Sequence, residues 1–92
     1  MRIVKEFNLE DVHVTIFKMG QKFTLKLEWD RLEQVFKLDA RDGIEKLEHV
    51  MALMDKTFLE KVRSVFESML ENKNDRLSEW QEISRDEFPE II

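Results

Sequence analysis

Ninety-two residues, 42% hydrophobic and 38% charged, suffice for one small domain and not two, and the apolar share excludes wholesale disorder. The absence of cysteine removes disulfides, thiolate nucleophiles and Cys-ligated zinc, and no apolar run approaches the roughly 18 residues of a membrane span. The net charge of −5 divides into −1 over residues 1–70 and −4 over residues 71–92, a balance that repels nucleic acid and anionic membranes unless one face is locally basic.

Met1–Asp11 carries Glu6 and Glu10 and no apolar run, so it does not read as a signal peptide. Together with the missing cysteines it gives the expectation of a cytoplasmic protein. Ile3, Val4, Phe7 and Leu9 fit neither a helical nor a strand period, leaving an edge strand or an arm as readings. Val12–Met19 and Lys22–Trp29 form a predicted hairpin. Gly20-Gln21 suits a two-residue type II′ turn, which pairs positions summing to 41. Val12 then opposes Trp29, Val14 opposes Leu27 and Ile16 opposes Leu25, all on one face. Asp30-Arg31 is a poorer turn, but Leu32, Phe36 and Leu38 resume the alternation in a third strand.

Asp42-Gly43-Ile44-Glu45 has the spacing of an N-cap with a Glu three residues on. Ile44, Leu47, Val50, Met51 and Met54 then share an arc of about 120° on a helix. Asp55-Lys56 breaks that run, and Thr57-Phe58-Leu59-Glu60 reads as a capping box for a second helix. Phe58, Leu59, Val62, Val65, Phe66, Met69 and Leu70 fill about 140° of it. Asn72–Asp75 looks like a stop, yet Leu77, Trp80 and Ile83 return to the same arc at 100° per residue. One helix from Thr57 to about Arg85, or two in phase, both satisfy the pattern. Phe88–Ile92 reads as a frayed tail.

Thr15-Ile16-Phe17-Lys18, the Lys22–Trp29 strand, Leu32–Lys37 and Phe58-Leu59-x-x-Val62-x-x-x-Phe66-x-x-Met69 together resemble short bacterial proteins that pair an N-terminal β-meander with helices. The resemblance spans residues 15–70 and consists mostly of core positions. It implies the architecture and transfers no active-site residue.

Few residues suggest chemistry. His13, opposite Glu28, and His49, one turn after Glu45, read as solvated histidines beside carboxylates. Nothing in their spacing brings them together, and a metal site needs three or four converging ligands. Every Asp and Glu falls on a polar face, in a turn or in the tail, so no desolvated acid pair is expected. Ser64 and Ser68 have no His in register and no nucleophile elbow. Two glycines cannot build a phosphate loop. No catalytic, cofactor-binding or metal site is therefore expected.

Two surfaces stand out instead. The outer sheet face should display His13, Thr15, Phe17, Met19, Lys22, Thr24, Lys26, Val35 and Lys37. An aromatic among lysines outlines a single-stranded nucleic-acid platform, although arginine is missing and the chain is acidic. Cover by the N-terminal arm, the tail or a second subunit is the plainer reading. The second surface is the stripe of Leu77, Trp80 and Ile83. Methionines 51, 54 and 69 fall on core stripes, where Met commonly fills gaps.

The expectation is an α+β fold: a three-stranded antiparallel meander, two helices on one face and a C-terminal helical extension. A compact chain of this length has a radius of gyration of about 12 Å; residues 1–70 should form the compact domain and residues 71–92 an acidic helical extension or tail. The expected function is non-enzymatic protein–protein interaction, with a homodimer as its simplest form and Phe17, Met19, Val35, Leu77, Trp80 and Ile83 as candidate contacts. Single-stranded nucleic-acid binding is the alternative, and a small enzyme the third reading.

Overall fold

The computed structural model describes residues 1–87, with side chains through Glu82. The tail expected at Phe88–Ile92 lies outside the described residues. The class is α+β, but the sheet has four strands where three were expected: β1 (Arg2–Leu9), β2 (Val12–Met19), β3 (Lys22–Trp29) and β4 (Leu32–Leu38), antiparallel in chain order. A 3₁₀ turn (Ala40–Asp42) leads to α1 (Leu47–Leu53) and α2 (Lys56–Glu87).

The ambiguous N-terminus is the extra edge strand. Its register against β2 shifts between Ile3 and Lys5, so Val4 is the additional residue of a β-bulge. A bulge resets the two-residue alternation. Phe7, Leu9 and Val4 thereby pack against the core, whereas Ile3 pairs with Phe17 and stays 55% exposed. No single period describes this strand because its phase changes midway.

The β2–β3 register follows the expected pairing, with Val14 opposite Leu27 and Ile16 opposite Leu25. Gly20 has φ +61 while Gln21 is not left-handed, as a type II′ turn requires. The Asp30-Arg31 turn has both residues left-handed, at φ 47 and 66. That is the type I′ pattern, which Asn-Gly would adopt with less strain.

The core is Val12, Val14, Ile16, Phe23, Leu25, Leu27, Ile44, Val50, Val62 and Phe66. Met69 packs at its margin, and Phe36, expected inside, is 38% exposed on edge strand β4 with its ring 5.8 Å from Phe58. Val65 is exposed rather than buried. The packed side of α2 is centred on Val62 and Phe66, and at 100° per residue Val65 points off that side.

Both expected helix caps move. Asp39 caps the 3₁₀ turn, exchanging bonds with Asp42, and Gly43 closes it at φ 78. α1 starts at Leu47 without a side-chain cap from Lys46. The Glu45 backbone N–H instead donates to His49 Nδ1 at 3.0 Å. α2 is capped by Asp55, whose carboxylate accepts from the Phe58 N–H at 2.8 Å, so the Thr57–Glu60 box is not what opens it. Asp55 is the better placed acceptor because its carboxylate reaches the N3 amide of a helix beginning at Lys56.

α2 is one unbroken helix of 32 residues, about 48 Å long at 1.5 Å per residue. The sheet beneath it is far shorter, so the molecule measures 55 × 28 × 23 Å with a radius of gyration of 17.9 Å. The compact 12 Å expectation fails for that reason. Among the described residues, no helix is long and apolar enough to cross a membrane.

Candidate interaction surfaces

α2 is anchored where it leaves the sheet. Arg63 Nη2 donates to Asp11 Oδ1 at 2.6 Å and meets Glu10 Oε2 at 3.1 Å, and Trp29 Nε1 donates to Asp11 Oδ2 at 3.0 Å. Phe66 lies against Trp29, with ring centroids 5.8 Å apart. Gln34 Nε2 donates to the Val62 carbonyl at 2.9 Å. These contacts tie the helix to the β1–β2 turn, the end of β3 and the edge of β4. A cavity of about 90 Å³ beside Asp11, Trp29 and Arg63 is well below the ~300 Å³ typical of small-molecule sites.

Beyond this anchor the packed side of α2 runs on without a sheet beneath it. Lys73, Leu77 and Trp80 continue the line of Val62 and Phe66. Leu77 is 46% and Trp80 55% exposed, whereas Val62 and Phe66 are at 2% or less. One helical stripe is thus core at one end and bare at the other. Position 83 belongs to the helix, but the Ile83 side chain lies outside the described ones.

The second surface is the sheet face away from the helices. Met19 and Val35 are 58% and 48% exposed there, and Phe17 is half-buried. Lys26 Nζ sits 5.4 Å from the Phe17 ring centroid and 3.4 Å from Glu28. Thr15, on the same face, is buried because it lies between Glu6 and Lys26 on its neighbouring strands. The expected arm does not cross this face: β1 joins its edge.

Charge divides the outer face. Toward the Gly20-Gln21 turn it carries Lys22, Lys26 and Lys37 around Phe17, Met19 and Val35. A groove of about 290 Å³ at that end is lined by Met1, Met19, Lys22, Lys37 and Arg41, among others. Toward the opposite end lie Glu28 and Glu33, paired across β3 and β4. Sequence reasoning missed Ile3 as a member of the apolar patch, because the bulge that turns it outward leaves no period to read.

The two histidines have separate local partners. His13 stands opposite Glu28 in the β2–β3 register, as expected, while its ring meets β1, with Nδ1 2.7 Å from Asn8 Oδ1 and Nε2 3.4 Å from Glu6. His49 is occupied by the Glu45 amide. Among the described residues, no three His, Asp or Glu converge as metal ligands. The Asp39 carboxyl is held below the ordinary aspartate range, first by the Arg41 guanidinium hydrogen bond and then by the Arg41 backbone amide. That is a turn-stabilising pair at the rim of the groove beside Lys22 and Lys37, with Arg41 exposed.

No protein-family model, curated protein or solved structure matches this chain.

Proposed function

We propose that this chain is a non-enzymatic protein–protein interaction module whose simplest partner is a second copy of itself. One observation carries the reading: the stripe of α2 that is core at Val62 and Phe66 continues bare through Leu77 and Trp80. Scattered exposed apolar residues are ordinary, but a Trp and a Leu in line on a projecting helix form a surface suited to burial against protein. Tryptophan also heads the residues that dominate binding energy at interfaces.

The nucleic-acid reading is weaker on this geometry. The lysine most central to the outer face, Lys26, already engages Phe17 and Glu28, and Glu6, Glu28 and Glu33 share the sheet's outer side. Sedimentation velocity over about 1–100 µM tests the proposal. A mass that rises with concentration in wild type, and that Leu77→Ala with Trp80→Ala holds at monomer while the circular dichroism is unchanged, supports it. A wild-type monomer throughout the series, indistinguishable from the folded double variant, refutes it.

A further inference from the structure

Among the described residues, no strand pairs with the far edge of β4. The two-residue Asp30-Arg31 turn makes Trp29 and Leu32 a hydrogen-bonded pair, and bonded and non-bonded pairs alternate from there along β3 and β4. Glu33, Val35 and Lys37, opposite Glu28, Lys26 and Thr24, are the non-bonded members, so their N–H and C=O groups point away from β3. Among the described residues, no backbone bond outside the helices and strands takes these groups up. The other edge, β1, is interrupted by its bulge at Val4, a device that discourages edge pairing. β4 keeps an unshifted register and holds no proline.

Apolar surface gathers on the same side. Val35 is exposed on the outer face and Phe36 on the core face. Phe58 of α2 meets Phe36, and Val65 follows two turns later, within about 20° of Phe58 around the helix. Arg63, which reaches Asp11, lies about 140° round from Phe58, on the opposite flank. Val65, exposed on α2, therefore overlooks the β4 edge.

The charges on this edge select its occupant. Glu33 stands opposite Glu28 within the chain, a destabilising like-charge pair. Among the described residues, neither Glu33 nor Lys37 has an ion-pair partner. Along the strand the outward groups run acid, apolar, base, an order that complements itself when reversed. Going beyond the reading above, and on a different side of the molecule from the Leu77–Trp80 stripe, we propose that β4 pairs antiparallel with β4 of a second copy. The two-fold axis runs through Val35, perpendicular to the sheet, and joins the two sheets into one.

Glu33 of each copy then faces Lys37 of the other and Val35 faces Val35, with about six backbone bonds between them. On the core face Gln34 faces Phe36 and Leu32 faces Leu38. The Val65 flanks of the two α2 helices approach each other over the seam. Other registers fail. A shift of two residues sets Glu33 opposite Asp39 in one direction and Lys37 opposite Arg31 in the other, like charges in both cases. A shift of one residue sets outward backbone groups against inward ones and loses the bonds. The contact is small. Seven residues span about 23 Å, and a strip about 15 Å deep buries about 700 Å² counted on both copies, in the weak and transient class. Covalent trapping, which accumulates brief encounters, is therefore its readout.

The test uses the full chain carrying Leu77→Ala and Trp80→Ala, which removes the stripe and lets the two readings fail separately. The natural chain has no cysteine. Bonded antiparallel partners lie about 5.5 Å apart at Cα, within disulfide reach, so Val35→Cys should oxidise to a covalent dimer. Lys37→Cys should be trapped at least about tenfold more slowly, because the two copies of that position are offset by about 13 Å along the strands. Adding Glu33→Lys to the Val35→Cys chain should slow trapping about tenfold, and adding Lys37→Glu to that chain should restore it. Circular dichroism confirms that each variant is folded. No trapping at position 35, equal trapping at positions 35 and 37, or trapping indifferent to the charge reversals overturns the β4 pairing. None of these outcomes bears on the stripe, which sedimentation of the wild-type chain decides.

Discussion

Replacing Phe66 by Ala should release α2 from the sheet. Its side chain is 1% exposed, touches Trp29 and sits near the end of the supported stretch of the helix, one turn before Met69 at the core margin. Truncating a buried Phe to Ala costs about 3–5 kcal/mol, the lost transfer energy plus the cavity left behind. A small domain holds about 5–15 kcal/mol in all, so the variant should sit close to unfolding. With a urea slope of about 1.5 kcal/mol/M, the midpoint should fall by about 2–3 M. Fluorescence of Trp29 in a Trp80→Phe background reports the transition, since the chain has two tryptophans. Val65→Ala is the control: one residue away but 46% exposed, it should move stability by no more than about 0.5 kcal/mol. An unchanged midpoint for Phe66→Ala, or equal shifts for the two variants, refutes the packing described here.

The β3–β4 turn offers a stabilising change. Asp30→Asn with Arg31→Gly relieves two left-handed residues and should add about 1 kcal/mol, read as a rise of several degrees in Tm; no rise means the turn is not type I′. A double-mutant cycle on Asp11→Ala and Arg63→Ala should give a coupling below about 1 kcal/mol, because both partners are more than a third exposed. A zero coupling at low salt would mean the pair does not form in solution. Asp39, whose carboxyl titrates below its ordinary range in the folded chain, contributes stability that is complete above about pH 4 and is lost as pH falls through its depressed folded value. Asp39→Asn should flatten the Tm profile from about pH 4 downwards, and an unaltered profile would show that the Arg41 contact is not kept in water.

Much of the fold can be read along the chain because its causes are local. The β2–β3 register is fixed by a glycine turn and by alternation, both contained in Val12–Trp29. The helical phase from Phe58 to Trp80 survives Asn72–Asp75, since asparagine, lysine and aspartate weaken a helix by only tenths of a kcal/mol each and nothing there forbids it. The caps were harder to place. Asp39, Asp42, Asp55 and Thr57 are all competent, and the choice among them depends on where the sheet lets each helix begin.

Three matters were settled only in three dimensions. The N-terminal strand exists because β2 presents an open edge, and the bulge at Val4 is the adjustment that brings Val4, Phe7 and Leu9 together to the core. Phe36 and Val65 belong to apolar stripes yet stay exposed, because an edge strand and a helix leaving its sheet have no neighbour on one side. Finally, periodicity marks Leu77 and Trp80 as core-like but cannot measure how far the sheet extends. A strand advances about 3.3 Å per residue and ends at its turn, while a helix carries on at 1.5 Å per residue for as long as its residues allow. The mismatch between a sheet of eight-residue strands and a helix of 32 residues leaves that stripe without cover.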